Sequence, residues 1–256
     1  MSGIARYDAI ADWYDRFVGE TGGARFERIE WPCLRGILGD VRGRPVLDLA
    51  CGQGFLSRLL ARAGARVTAI DLSTALLALA RKREAAEPLG IDYHHDDATD
   101  LGTLADGSFD WVICRYALMD ISDLGAVYRA VARVLRPRGR FVAVVTHPCF
   151  YAPHAGAVRD AAGEFLHWRS DRYFDEGAWQ SDNPDGVRGK VGAIHRTLST
   201  YVEAGLTAGL TLEGLREPRP NAGEPLDPGL ELYQRVPWAL VLCWRRVAGH
   251  QGGDAG

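Results

Sequence analysis

Val46-Leu47-Asp48-Leu49-Ala50-Cys51-Gly52-Gln53-Gly54 decides the fold. Pro45 to Ala50 is a short apolar run bounded by turn residues, which predicts a buried strand. The turn that follows is built on glycine: Gly52 and Gly54 lack a Cβ, can take positive φ, and let the backbone approach a ligand closely. Next, Phe55, Leu56, Leu59, Leu60 and Ala63 fall on one helical face, closed by Gly64 as the residue past the helix end. Strand, glycine turn and helix in this order place the unpaired N–H groups of a helix N-terminus beside the turn.

Working outward, Arg66 to Ile70 is a short β-branched second strand with Asp71 at its end, 17 residues past Gly54. A carboxylate there is placed to accept hydrogen bonds from ribose hydroxyls. Ser73 reads as the N-cap of a second helix, Ala75 to Ala80, whose basic end Arg81-Lys82-Arg83 is a solvated terminus. Ile91 to His95 and Phe109 to Cys114 predict the third and fourth strands. Leu124 to Leu135 predicts a helix stopped by Arg136-Pro137-Arg138-Gly139, and Arg140 to Thr146 the fifth strand. This alternation predicts an α/β, doubly wound, mostly parallel sheet with helices on both faces.

After the fifth strand the composition turns to Gly, Asp, Pro and aromatics without a sustained period, so 147–195 reads as an inserted lid. Ser199 to Ala208 returns to a helix, and Leu210 to Glu217 and Val236 to Arg245 predict two last strands, seven in all. The expected organisation is one domain over 1–248: an N-terminal cap (1–43), a cofactor-binding core (44–146), the lid, and a C-terminal helix and strands (196–248). Residues 249–256 are expected to be a disordered tail.

Composition narrows the function. Thirty Lys+Arg against 33 Asp+Glu give a formal charge of −3, so no basic field exists to hold nucleic acid or an anionic membrane. No apolar run reaches membrane-span length and Met1 to Glu20 lacks a signal-peptide pattern, which predicts a soluble, cytoplasmic protein. Cys33, Cys51, Cys114, Cys149 and Cys243 form no CxxC pair or Cys/His cluster, so reduced thiols are expected, and neither disulfides nor a metal site. The partner expected is a small molecule; the sequence leaves monomer and homodimer open.

Two cofactors suit a glycine turn followed by an acid: a dinucleotide or S-adenosyl-L-methionine. Asp48 beside the turn is unfavourable to a pyrophosphate but suits a neighbourhood that carries an α-ammonium and a sulfonium. The third glycine of the dinucleotide fingerprint would fall at Ser57 and is absent. Asp48-Leu49-Ala50-Cys51-Gly52-Gln53-Gly54 resembles the first motif of the class I S-adenosylmethionine-dependent methyltransferases, with Ala50 where that family usually has Gly. The resemblance runs over about residues 7 to 247, its specific motifs lying in the first 150. It implies a Rossmann-like seven-stranded fold, S-adenosyl-L-methionine as cofactor, S-adenosyl-L-homocysteine as product, and methylation of a small molecule on oxygen or nitrogen.

Carried onto this chain, the resemblance assigns the cofactor to Asp48, Ala50, Gly52, Gly54, Asp71 with Leu72, and Asp97 with Ala98, the acid of Asp97 accepting from the adenine amino group. Phe109-Asp110-Trp111-Val112-Ile113-Cys114-Arg115 is similar to the fourth-strand motif and puts Arg115 toward the cofactor and Tyr116 toward the substrate. Tyr7-Asp8-Ala9-Ile10-Ala11-Asp12-Trp13-Tyr14-Asp15 is similar to the family's helical cap. Tyr7 and Tyr14, seven apart, share a helical face that either closes on the cofactor and substrate or packs on the sheet. His147, directly after the fifth strand, is the candidate general base, with capping of that strand as the competing role. Trp168, Tyr173 and His195 are the insertion's candidates for substrate contact, against plain packing onto the domain. Two other functions compete: a cofactor-binding protein of this fold without methyl transfer, such as a cyclase or effector-binding protein, and a nicotinamide dehydrogenase, which Asp48 and Ser57 disfavour.

Overall fold

The computed structural model describes residues 3–221 and 231–247. The chain opens with helices α1 (Gly3–Asp8) and α2 (Ala11–Val18), then α3 (Gly23–Arg25), which runs through a π-helical turn (Phe26–Glu30) into α4 (Trp31–Leu38). The core follows as β1 (Pro45–Leu49), α5 (Phe55–Arg62), β2 (Arg66–Asp71), α6 (Thr74–Ala86), β3 (Asp92–His95), β4 (Phe109–Arg115), α7 (Leu124–Val134) and β5 (Leu135–Thr146). The insertion holds β6 (Gly156–Arg159), β7 (Phe165–Arg169), β8 (Gly177–Trp179), α8 (Val187–Val191) and β9 (Ala193–His195). The chain closes with α9 (Leu198–Thr207), β10 (Leu210–Arg216), a 3₁₀ turn (Glu231–Gln234) and β11 (Ala239–Arg246).

Seven strands form one sheet in the order β10-β11-β5-β4-β1-β2-β3. Strands β1 to β5 pair in parallel, and β11 enters antiparallel between β5 and β10. The chain winds one way from β1 to β2 and β3 and the other way to β4 and β5, so the sheet has its switch point between β1 and β4. In such sheets the crevice outside the carboxyl ends of the strands at that point is where ligands bind.

Both faces of the sheet are covered, which is why the strands read as continuous apolar runs rather than alternating ones. Along β5, Phe141, Ala143 and Val145 join one buried cluster and Val142 and Val144 the other. Trp244 of β11 is fully buried and meets Tyr128 of α7 edge-on at 5.6 Å. Ser73 caps α6 as the sequence predicts, its hydroxyl accepting from Leu76 N at 3.2 Å.

Two elements differ from expectation. The helix before the fifth strand ends at Val134, and β5 begins at Leu135, which pairs with Phe109; the register then jumps so that Trp111 pairs with Arg140. Residues 136–139 form a bulge within the strand, with Arg138 at φ 67°. The insertion is also more regular than its composition suggests, because β6–β7 and β8–β9 form two short antiparallel ribbons. Strands of three to five residues with half-exposed faces leave too short a period to read. The expected tail, 249–256, lies outside the described residues.

Gly205 of α9 sits where a Cβ would stand 2.5–2.7 Å from the Trp244 ring. Gly205→Ala is therefore expected to destabilise the fold by about 1–3 kcal/mol through overpacking, although alanine is the better helix former. Denaturant unfolding of the two proteins measures the difference; equal midpoints would contradict this packing.

Candidate active site

The glycine turn is held by hydrogen bonds from two sides. Asp71, at the end of β2, accepts from Gly52 N at 2.7 Å and from Ser73 N at 2.8 Å. Ala50 (φ 59°), Gly52 (φ 58°) and Gly54 (φ 84°) all lie in the left-handed region. At Ala50 this conformation costs on the order of 1 kcal/mol, which a glycine would avoid. Gly54 serves packing: a Cβ there would meet Tyr93 Oη at 2.5 Å and Ala80 Cβ at 3.1 Å.

Beyond the turn, at the carboxyl ends of β1 to β4, lies a cavity of about 420 Å³, within the size range of small-molecule sites. Ala50, Gly52, Asp71, Leu72, Asp97 and Ala98 line it, as do Tyr14 and Arg115. Asp97 is oriented by its neighbour, its Oδ1 accepting from Thr99 N (2.8 Å) and Thr99 Oγ1 (2.7 Å). Asp96 instead braces the loop through Thr103 N and Asp97 N. Gly54 and Asp48 do not line the cavity. Asp48 lies beneath the turn, 2% exposed, and accepts a 2.5 Å hydrogen bond from Ser57 Oγ. Ser57, in the position of the missing third glycine, is thus the partner of that buried acid. Burial pushes the Asp48 carboxyl up to about 7 despite this bond.

A second cavity of about 900 Å³ adjoins the first and is walled by α2, the start of α3 and the insertion. Four side chains line both: Tyr7, Tyr14, Arg115 and Tyr116. The rings of Tyr7 and Tyr14 meet edge-on at 5.5 Å, and Gly52 leaves room for the Tyr14 ring, which lies 3.5 Å from where a Cβ would be. Tyr116, the residue after β4, is held at φ 54°, a strained conformation of the kind found at functional sites.

The residues that fix this boundary were invisible in the sequence pattern. Glu30, 1% exposed, accepts from Arg115 Nε (2.9 Å) and Tyr116 Oη (2.8 Å) and pairs with Arg25 Nε at 3.2 Å. Burial opposes the charge of Glu30, but Arg115 and Arg25, with the Tyr116 hydroxyl, outweigh it and hold its pKa below the usual carboxylate value. On the other side, Tyr7 Oη donates to Asp120 Oδ2 at 3.0 Å, and Asp120 pairs with Arg188 of α8. No short-range motif marks Glu30 or Asp120, each of which meets partners more than 60 residues away.

The remaining sequence candidates divide. Trp168 lines the larger cavity, its Nε1 donating to Phe150 O at 3.0 Å. His147 lines neither cavity. Its Nε2 lies 2.9 Å from Glu217 Oε1, its Nδ1 accepts from Cys149 N, and its own N–H donates to Trp238 O, so it ties β5 to the segment after β10. Burial lowers its pKa, the neighbouring Glu217 notwithstanding. Tyr173 and His195 also lie outside both cavities. Tyr173 Oη accepts from Leu198 N (2.6 Å) and its carbonyl meets His195 Nε2 (2.8 Å), which pins the insertion to the start of α9.

A doubly wound sheet, a glycine turn faced by an acid, and a second chamber across a shared wall define a nucleoside-dependent group-transfer protein. The sequence profile of the methyltransferase domain matches residues 47–143. A crystal structure of an S-adenosylmethionine-dependent methyltransferase from Mesorhizobium loti superposes with a TM-score of 0.74 at 33% identity, over 89% of this chain and 100% of that one. A putative S-adenosylmethionine-dependent methyltransferase from Listeria monocytogenes gives 0.71 at 30% identity, over 86% and 98%. The chain belongs to the S-adenosylmethionine-dependent methyltransferases, and S-adenosyl-L-methionine is its cofactor. It is also 43% identical over 101 residues to a ubiquinone biosynthesis O-methyltransferase of Xanthomonas oryzae. That match covers 40% of this chain and 42% of the relative, so the chain spans less than half the length of the curated relatives it matches. No described helix is long and apolar enough to cross a membrane, and no described group of His, Cys, Asp and Glu could hold a metal ion.

Because Asp48 has its pKa raised from 3.8 to about 7, its ionised form is disfavoured in the fold. Stability from this group is full below pH 4 and is lost as pH rises through 7, a loss of order a few kcal/mol. Asp48→Asn, which keeps an acceptor for Ser57, is expected to melt near the wild type at pH 4–5 and increasingly above it toward pH 8. A melting difference that stays constant across that range would show that Asp48 is ionised throughout.

Proposed function

We propose that this chain methylates a small molecule, on oxygen in preference to nitrogen, with the cofactor in the smaller cavity and the acceptor in the larger. The observation that carries this reading is the shared wall: Tyr7, Tyr14, Arg115 and Tyr116 face both chambers, so a methyl group leaving one enters the other there. The name of the Xanthomonas relatives supports oxygen as the acceptor atom, and the formal charge of −3 supports a small molecule over nucleic acid. Five unpaired cysteines suit a reducing compartment, and we place the enzyme in the cytoplasm.

The residues present fit the cofactor. Asp71 borders the cavity with its carboxylate already oriented by two backbone N–H groups, which leaves lone pairs for the ribose hydroxyls. Asp97 offers its Oδ2, which has no partner among the described residues, to the adenine amino group. Gly52 supplies the close backbone approach, and Ala98 and Leu72 the apolar walls. When bound, S-adenosylmethionine supplies an electrophilic methyl group, so the protein's task is alignment and exclusion of water. Tyr14 and Tyr7 close the wall from the N-terminal cap, Arg115 and Tyr116 from β4, and the insertion 147–195 acts as the lid that completes the acceptor chamber. With both ring nitrogens engaged outside the cavities, His147 is a strut at the end of β5 rather than the base.

Titration calorimetry tests the reading. Asp71→Ala is expected to weaken S-adenosylhomocysteine binding about 10- to 100-fold through loss of a charge-assisted hydrogen bond. Unchanged affinity would remove the ribose from Asp71. His147→Gln is expected to leave kcat within about threefold while lowering thermal stability by about 1 kcal/mol. A loss of a hundredfold or more in kcat at saturating substrates would restore His147 as the base.

A further inference from the structure

Among the described residues, the acceptor chamber carries an unbalanced positive charge at and beside the wall it shares with the cofactor. Arg25 and Arg115 both line it, and among the described residues each forms an ion pair only with Glu30. Two guanidiniums therefore share one carboxylate. Arginine cannot shed its proton, and with Arg115 10% and Arg25 28% exposed this surplus charge is only partly solvated, so an anion entering the chamber meets it directly. The other groups on Arg25 among the described residues are neutral: the Tyr233 hydroxyl, which hydrogen-bonds to it, and the Trp238 ring, which its guanidinium covers at 4.2 Å. Arg188, a third half-buried cation of the chamber, is already balanced by Asp120; Arg169 is exposed, and the acids Asp182 and Asp185 are exposed and pair with neither Arg25 nor Arg115.

Around that charge the chamber is aromatic. Tyr151 packs on Trp238 at 4.0 Å and on Trp168 at 5.2 Å, and Phe150 joins the same wall. Flat rings beside a cation select a flat ring that carries an anion.

We propose, on the basis of the methyl-transfer reading above, that the acceptor is an aromatic oxyacid bound as its anion, held by Arg25 and Arg115, and that the acidic oxygen itself receives the methyl group. A lone pair of that oxygen forms the O–CH₃ bond as the C–S bond of the sulfonium breaks, and the C–S electron pair stays on sulfur. A cation and an anion become two neutral products, and no proton moves. This chemistry needs no general base, in keeping with a shared wall of three tyrosines and one arginine. Arg115 fixes the oxygen at the wall, and Arg25 supplies the charge that Glu30 leaves uncancelled.

The test is a calorimetric panel on the full chain saturated with S-adenosylhomocysteine: benzoate and naphthoate, the matching carboxamides, and 4-nitrophenol above and below its pKa. At least tenfold tighter binding of the carboxylates than the carboxamides is expected, with 4-nitrophenol binding only when ionised. Preference for both anions assigns the site to oxyacids in general, and preference for carboxylates alone narrows it to carboxylic acids. Arg25→Gln, which leaves Glu30 balanced by Arg115, is expected to abolish the preference, and Arg25→Lys to restore most of it, with S-adenosylhomocysteine affinity as the folding control. Equal binding of acid and amide, no binding of any acid, or an undiminished preference in Arg25→Gln overturns the proposal. If Arg25→Gln does not fold, the wild-type preference decides alone. Should S-adenosylhomocysteine itself fail to bind the wild type, it is the methyltransferase reading that falls; cofactor binding without acid preference sinks only the oxyacid.

Discussion

Everything at this site hangs on the carboxylate of Asp71. By accepting from Gly52 N and Ser73 N it joins three pieces of backbone: the turn after β1, the end of β2 and the start of α6. The turn needs that hold because three of its five residues are in the left-handed region, one of them an alanine. The start of α6 then becomes the mooring of the N-terminal cap. Asp8 accepts from Ser73 Oγ at 2.5 Å and from Ala75 N at 3.2 Å, an acid at a helix N-terminus, where the helix dipole favours it. Further along α6, Arg83 pairs with Asp15 of α2 at 2.8 Å. Clamped at both points, the cap can only lie across the turn, which is why Tyr7 and Tyr14 stand over the cavity.

Three carboxylates near the cavities, Asp48 and Glu30 buried and Asp120 half-buried, meet the cost of desolvation in different ways. Asp48 has only a serine hydroxyl, and burial carries its pKa to about 7. Glu30 is stabilised as the anion by two guanidiniums and a phenol. Asp120 is held by Arg188 and the Tyr7 hydroxyl. The contrast is functional: the two acids with cationic partners fix the wall between the chambers, whereas the acid with a neutral partner supports the turn from below. An ion pair directed at a wall residue sets its position, because breaking it would leave an uncompensated buried charge.

The doubly wound sheet was legible because it is written in local periods: apolar runs of strand length, helical stripes and glycine punctuation at 46–64 are each read within a window of a dozen residues. So was the lining of the smaller cavity, since Asp71 and Asp97 occupy strand ends that the fold places at one edge whatever the rest of the chain does. The wall of the larger cavity was not. Glu30 sits in a helical segment whose sequence gives no reason to expect an internal carboxylate, and its partner Arg115 lies 85 residues away. His147 shows the converse: its position after β5 puts the backbone at the ligand edge, but the ring turns to Glu217, a pairing only the antiparallel entry of β11 makes available. Tyr173 and His195 lie outside both cavities for a related reason: the Tyr173 hydroxyl fastens the insertion to Leu198 of α9, and His195 holds the Tyr173 carbonyl within the insertion.

The two chambers differ in how freely their walls can change. The smaller cavity is lined from strand ends and from turns braced by backbone hydrogen bonds, so a substitution there disturbs the sheet. The larger cavity is assembled from α2, α3, the insertion and the segment before β11, and the N-terminal cap and insertion meet through side chains: Arg188 on Asp120, which Tyr7 also holds, and Arg6 on the Val191 carbonyl. Those contacts set the distance between the insertion and the N-terminal helices but not what lines the space between them. Trp168, Phe150 and Tyr151 can therefore be exchanged for other side chains without disturbing the smaller cavity, whereas Arg115 pairs with Glu30 and lines both cavities at once. The charge of the wall between the cavities is consequently the constraint built deepest into this fold, and the shape of the larger cavity the one left open.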